Sequence, residues 1–137
     1  MIVNETAKIE FIPENQRFVR LLDDFDFYSD VLGCWAKAPV GFVCDLESVP
    51  LIRGTNPEAG IIHDLVCRSD FKPEIGKIDA GKIYLEAQGY YDQKESGNVF
   101  NRLWDWFRRG FKTSVVWVAP GYWHKFPVMA TYEELTA

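Results

Sequence analysis

Residues 41–50, GFVCDLESVP, begin as a buried-looking strand and end as something else. Phe42-Val43-Cys44 is a short apolar run, whereas Asp45, Ser48 and Pro50 belong to turns and strand ends. Soon afterwards comes TNPEAGIIHDLVCR (55–68), which carries a helix start signal: Asn56 as N-cap, Pro57 at the first helical position and Glu58 in the first turn. The chain before this seam looks extended and the chain after it looks helical, so the stretch marks the switch point of an α+β protein.

Upstream, KIEFI (8–12) sets Ile9 and Phe11 against Lys8, Glu10 and Ile12. A Pro13-Glu14-Asn15 separator comes next, and then RFVRLL (17–22). FDFYSD (25–30) alternates Phe25 and Phe27 with Asp26 and Tyr28, and CWAKAPVGFVC (34–44) supplies a strand pair broken at Pro39 and Gly41. These short segments predict an antiparallel sheet with one wet face.

Downstream, Ile61, Ile62, Leu65 and Val66 form the buried stripe of the first helix. PEIGKIDAGKIYLEAQGY (73–90) predicts a second helix beginning at Pro73 and capped by Gly89, with Gly76 and Gly81 weakening it. ESGNVFNRLWDWFRRGF (95–111) places Val99, Phe100, Leu103, Trp104 and Phe107 at helical spacing and stops near Gly110. TSVVWVAPGYW (113–123) reads as a returning strand, and the 130–137 tail as loosely ordered. The predicted architecture is a single domain over 1–137, with an N-terminal antiparallel sheet of short strands packed against about three C-terminal helices.

Composition narrows the function classes. A 47% hydrophobic and 15% aromatic content in 137 residues excludes a disordered chain, because that much apolar surface offsets the entropy of ordering. A net charge of −5 gives nucleic-acid binding no global support. Cys34, Cys44 and Cys67 lack CxxC spacing, so buried free thiols are expected rather than disulfides or a zinc site. MIVNETAKIEF lacks the apolar core of a signal peptide, and no apolar run approaches the ~20 residues of a membrane span, so the chain is not expected to be transmembrane.

Chemistry-bearing side chains gather at the seam. His63 and Cys67 share a helix side, and Asp64 precedes Arg68 by one turn in the favourable acid-before-base order, which reads most simply as a surface ion pair. Asp45, Ser48, His63 and Asp64 would together offer two carboxylates, an imidazole and a hydroxyl. That set suits a hydrated divalent metal held by His63 and Asp64. It equally suits a nucleophile activated by His63, or a clasp in which Asp45 accepts a bond from His63 and fastens sheet to helix. No HExxH, GxSxG or Walker pattern selects a reaction.

VGFVCDLESVP (40–50), AGIIHD (59–64) and KIDAGKIYLEAQG (77–89) together resemble domain-of-unknown-function family 1353, small proteins of tailed phages and prophages. The likeness covers roughly residues 38–110. The family's pattern resembles GF-V-T-D-x-A-S-V-P, then A-x-x-H-D, then R-x-x-A-D-x-x-F-x-x-A. Asp45, Ser48, Pro50, His63 and Asp64 match it. Cys44 stands where Thr is usual and Glu47 where Ala is usual. Lys77 replaces Arg, and Gly81 falls where an Asp is expected, so that Asp79 or Glu86 would have to substitute for it. The resemblance implies phage origin and brings no established activity; synthesis in the host cytoplasm is expected, with the virion as the destination only under the first of the two functions below.

Two functions are expected from these residues. One is a non-catalytic virion- or tail-associated component that needs no cofactor, with His63, Asp45 and Ser48 as structural groups. Its partners would be other phage proteins or a host-surface component. The other is a small hydrolase of cell-wall or nucleotide substrates, using His63 with Asp64 and Asp45, with a divalent metal assisting. In the aromatic end, Trp104, Trp106, Trp117 and Trp123 lie near Arg102, Arg108 and Arg109. Trp106 sits off the apolar stripe and is the candidate contact residue.

Overall fold

The computed structural model describes residues 6–45, 57–92, 103, 106–107 and 124–137. The expected α+β class holds: antiparallel strands fill the first part of the chain and helices the later part. The strands are β1 (Ile9–Phe11), β2 (Val19–Leu21), β3 (Phe25–Ser29), β4 (Cys34–Ala38) and β5 (Val43–Cys44). Helices α1 (Pro57–Val66) and α2 (Lys77–Asp92) come next, with a short terminal helix α3 (Tyr132–Thr136). Leu103, Trp106 and Phe107 are also helical.

The strands form two sheets rather than one, a three-stranded sheet β1-β2-β5 and the hairpin β3-β4. β4 and β5, read from sequence as a pair, therefore take different partners: β4 pairs with β3, and β5 pairs with β2 in the register Val19 to Cys44. The reason lies at Gly41, whose φ of 89° is a left-handed conformation that glycine adopts at no steric cost. Its N–H donates to the Leu21 carbonyl, and the Val40 N–H donates to Asp24 Oδ1 at 2.8 Å, so the chain swings off the hairpin and onto β2.

Alternation in β3 places Phe25, Phe27 and Ser29 inward, opposite Ala38, Ala36 and Cys34 of β4 respectively. The alternation read into residues 8–12 does not hold: Phe11 is exposed and Ile12 is buried. The Ile12 N–H bonds the Phe18 carbonyl across a turn, which ends the strand and folds Ile12 inward.

Helix α1 is buried through Ala59, Gly60, Ile61, Ile62, Leu65 and Val66 and lies between α2 and the hairpin. Pro57 opens it as expected; Asn56 lies outside the described residues. Helix α2 begins at Lys77, not Pro73, and Gly76 precedes it, with its carbonyl accepting from the Ala80 N–H. The helix also continues through Gly89, because Tyr91 packs on Phe25 and Phe27 while Tyr90 packs on Phe27. Those contacts outweigh the ~1 kcal/mol penalty of a helical glycine.

The tail, expected to be loose, is a capped helix. Thr131 and Glu134 form a reciprocal capping box, and Tyr132 meets Phe18 edge-on at 5.4 Å. Tyr132 and Leu135 thereby cover a satellite core of Ile12, Phe18 and Val43, separate from the main core. Leu103 and Phe107, assigned from sequence to a buried stripe, are 62% and 60% exposed. The rest of that segment and the strand expected over 113–123 lie outside the described residues.

Candidate functional site

The seam residues come together around Arg68. The ion pair read from sequence as a surface feature is buried, with Arg68 only 3% exposed at its side chain and Asp64 13%. Arg68 lies in the turn after α1, following the apolar Leu65-Val66 pair inward. Its Nη2 donates to Asp64 Oδ2 at 2.7 Å and to the Val43 carbonyl at 2.6 Å, while Nη1 donates to the Pro127 carbonyl at 3.1 Å. The guanidinium carbon stands 4.8 Å from the Phe42 ring centroid. One planar, permanently charged fork thus ties α1, β5 and the carboxyl-terminal segment together.

Asp45, just past β5, is buried and borders the same small cavity as Asp64 and Arg68. Phe18, Cys44, Phe126 and Leu135 complete the lining. The cavity measures about 10 Å³, room for one water molecule. Burial pushes the Asp64 carboxyl up to about 6; Arg68 opposes the rise and Asp45 adds to it.

His63 faces another way. Its Nε2 lies 3.7 Å from Cys67 Sγ, and its ring centroid lies 4.9 Å from that of Tyr84 on α2. Burial, helped by Lys77, brings its pKa down to about 4, so the ring is neutral near pH 7. Burial likewise raises the Cys67 thiol, which argues for a packed sulfur rather than a nucleophile. Adjacent residues on a helix point about 100° apart, and here that angle sends Asp64 toward β5 and His63 toward α2. The strand-to-helix clasp accordingly runs through Arg68.

Among the described residues, no cluster of three or more His, Cys, Asp or Glu side chains could hold a metal ion. Asp79 is exposed and pairs with Lys82 at 3.9 Å. Glu86 is committed to the hairpin, accepting from Ser29 Oγ at 2.6 Å and from the Asp30 N–H at 2.7 Å. Neither is placed as a replacement for an acid at Gly81. Ser48, Pro50 and Glu47 lie outside the described residues, as do Trp104, Trp117, Trp123 and the three arginines near them. Trp106 is 70% exposed. All three cysteines are free, Cys44 and Cys67 buried and Cys34 half-buried.

Sequence reasoning missed the central place of Arg68 and the lining role of Phe126 and Leu135. The signal for Arg68 was a cation directly after an apolar helical run, one turn from an acid. No family model, curated protein or solved structure matches this chain. Among the described residues, no helix is long and apolar enough to cross a membrane.

Proposed function

We propose that the chain is a non-catalytic component of a tailed-phage particle, associated with the virion or tail, in which the seam cluster is a structural fastening. The phage assignment rests on the resemblance of residues 38–110. The structural role of the cluster is supported by one observation above all: buried Arg68 commits its donors to Asp64, the Val43 carbonyl and the Pro127 carbonyl. Exposed Trp106, beside exposed Leu103 and Phe107, offers the apolar surface for other phage proteins or a host-surface component.

A second reading has one observation in its favour. Asp64, with its carboxyl raised to about 6 beside Asp45 in a cavity, has the perturbed titration that a general acid needs. The hydrolase would use that pair, without His63, whose ring is turned toward Tyr84 of α2.

The test is whether the chain stays with gradient-purified particles of the phage that encodes it. Stable co-purification is expected, and absence from particles would defeat the reading. In parallel, the purified chain should leave cell-wall fragments and nucleotides intact. Hydrolysis that disappears in a folded Asp64→Asn variant would establish the alternative.

A further inference from the structure

Strand β1 is the outer strand of its sheet among the described residues, with β2 on its inner side. The Lys8 carbonyl accepts from the Leu22 N–H at 2.8 Å, and the Ile12 N–H donates to the Phe18 carbonyl at 3.0 Å. Backbone groups alternate in direction along an antiparallel strand, so Lys8, Glu10 and Ile12 turn theirs toward β2, whereas Ile9 and Phe11 turn theirs outward. The side chains divide as well. Ile9 and Phe11 share the face of Leu21 and Val19, where Ile9 packs on the main core and Phe11 overhangs it, 51% exposed. Lys8 and Glu10 share the opposite face and are both exposed; Lys8 stands 3.9 Å from Asp23, and Glu10 accepts from Arg20 at 3.0 Å.

We propose that this open edge of β1 pairs with the same edge of a second copy of this chain, antiparallel about a two-fold axis at Ile9. Charge complementarity selects both the occupant and the register. An axis at Ile9 sets Ile9 against the partner's Ile9, Lys8 against the partner's Glu10 and Glu10 against the partner's Lys8. Asp23, Lys8, the partner's Glu10 and the partner's Arg20 then alternate in sign across the junction. An axis at Glu10 would instead oppose two carboxylates, and one at Lys8 two ammonium groups, each unfavourable in a cross-strand pair. An axis at Phe11 would bring Ile9 against the partner's Pro13, which has no N–H to give. A charge of one sign on an edge strand blunts its pairing, but a cation and an anion two residues apart make the edge complementary to itself. In the chosen register the exposed Phe11 ring comes to lie opposite the partner's Ala7, a small residue that leaves it room. The inference stands apart from the phage reading and survives its failure.

The experiment is sedimentation equilibrium of the full chain over a concentration series, with circular dichroism to verify that each variant is folded. Wild type should show a dimer fraction that grows with concentration. Lys8→Glu alone, or Glu10→Lys alone, opposes like charges twice across the axis, so each should weaken dimerisation roughly tenfold or more. An equimolar mixture of those two variants restores opposite charges at both positions and should form a one-to-one heterodimer with an affinity close to wild type. The exposed ion pairs within the chain that these substitutions disturb contribute little to folding. Phe11→Pro deletes an N–H that faces away from β2, so it should abolish the dimer and keep the β1–β2 ladder. Should that variant fail to fold, the two charge variants and their mixture still decide the question. A chain that stays monomeric at every concentration overturns the second copy as the occupant. A dimer indifferent to all three substitutions overturns the β1 edge as its interface. Charge reversals without effect, or without rescue on mixing, overturn the register.

Discussion

Asp64 and His63 are neighbours whose ionisation pulls the fold in opposite senses. The Asp64 pKa rises from 3.8 to about 6, so the folded chain holds that proton more tightly than the unfolded one, and stability from this group increases as pH falls from about 6 toward 4. The His63 pKa drops from 6.5 to about 4, so the unfolded chain takes up that proton first, and stability is lost over nearly the same interval. The two effects oppose each other over the same interval, so in the parent chain each masks part of the other. Relative to that parent, His63→Gln should become progressively more stable between pH 6.5 and 4, and Asp64→Asn progressively less. Urea unfolding across that range checks both signs; variants that keep the parent's profile would refute the opposition. The sequence displayed this pair but not its divergence. That depends on which neighbours α1 meets, and both Val43 and Tyr84 are distant in the chain.

At the scale of elements, some local signals were read correctly, while the alternation over 8–12 and the start of α2 at Pro73 were not. Pro57 and Glu58 mark the start of α1, and the Phe25/Phe27 alternation marks the inward face of β3. Two other failures depended on distant partners. Helix α2 passes through Gly89 because Tyr90 and Tyr91 find Phe25 and Phe27. The polar tail orders because Tyr132 finds Phe18. The junction of α2 with the hairpin gives a direct test. Glu86 accepts from the buried Ser29 hydroxyl and the Asp30 N–H, while the Leu32 N–H donates at 3.1 Å to Ser29 Oγ. Glu86→Ala should therefore cost about 2 kcal/mol, because charge-assisted bonds are lost and a buried hydroxyl loses its acceptor. Glu86→Gln, which keeps one acceptor, should cost about half as much. Denaturant midpoints at constant slope measure both; an alanine variant as stable as the parent would show that this junction fastens nothing.

Across the whole molecule, stability should be uneven. The main core holds α1, α2, the hairpin and the inner strand residues, and the satellite core holds the terminal helix against Ile12, Phe18 and Val43. Native-state hydrogen exchange should accordingly find two opening events. Amides of residues 132–136 should exchange through a low-energy opening, whereas those of 61–66 and 83–87 should need global unfolding. A single shared opening energy would mean that the terminal helix belongs to the main cooperative unit. The α+β class, with strands first and helices later, could be read from the sequence; the terminal helix could not. The division into two sheets could not, because it turns on where the chain leaves β4. That division has a kinetic consequence. The β3–β4 hairpin is spliced between β2 and β5, so its local closure brings Leu21 and Phe42 together before the larger sheet exists. Zipping the hairpin first shortens the remaining loop and lowers the entropy of joining its ends.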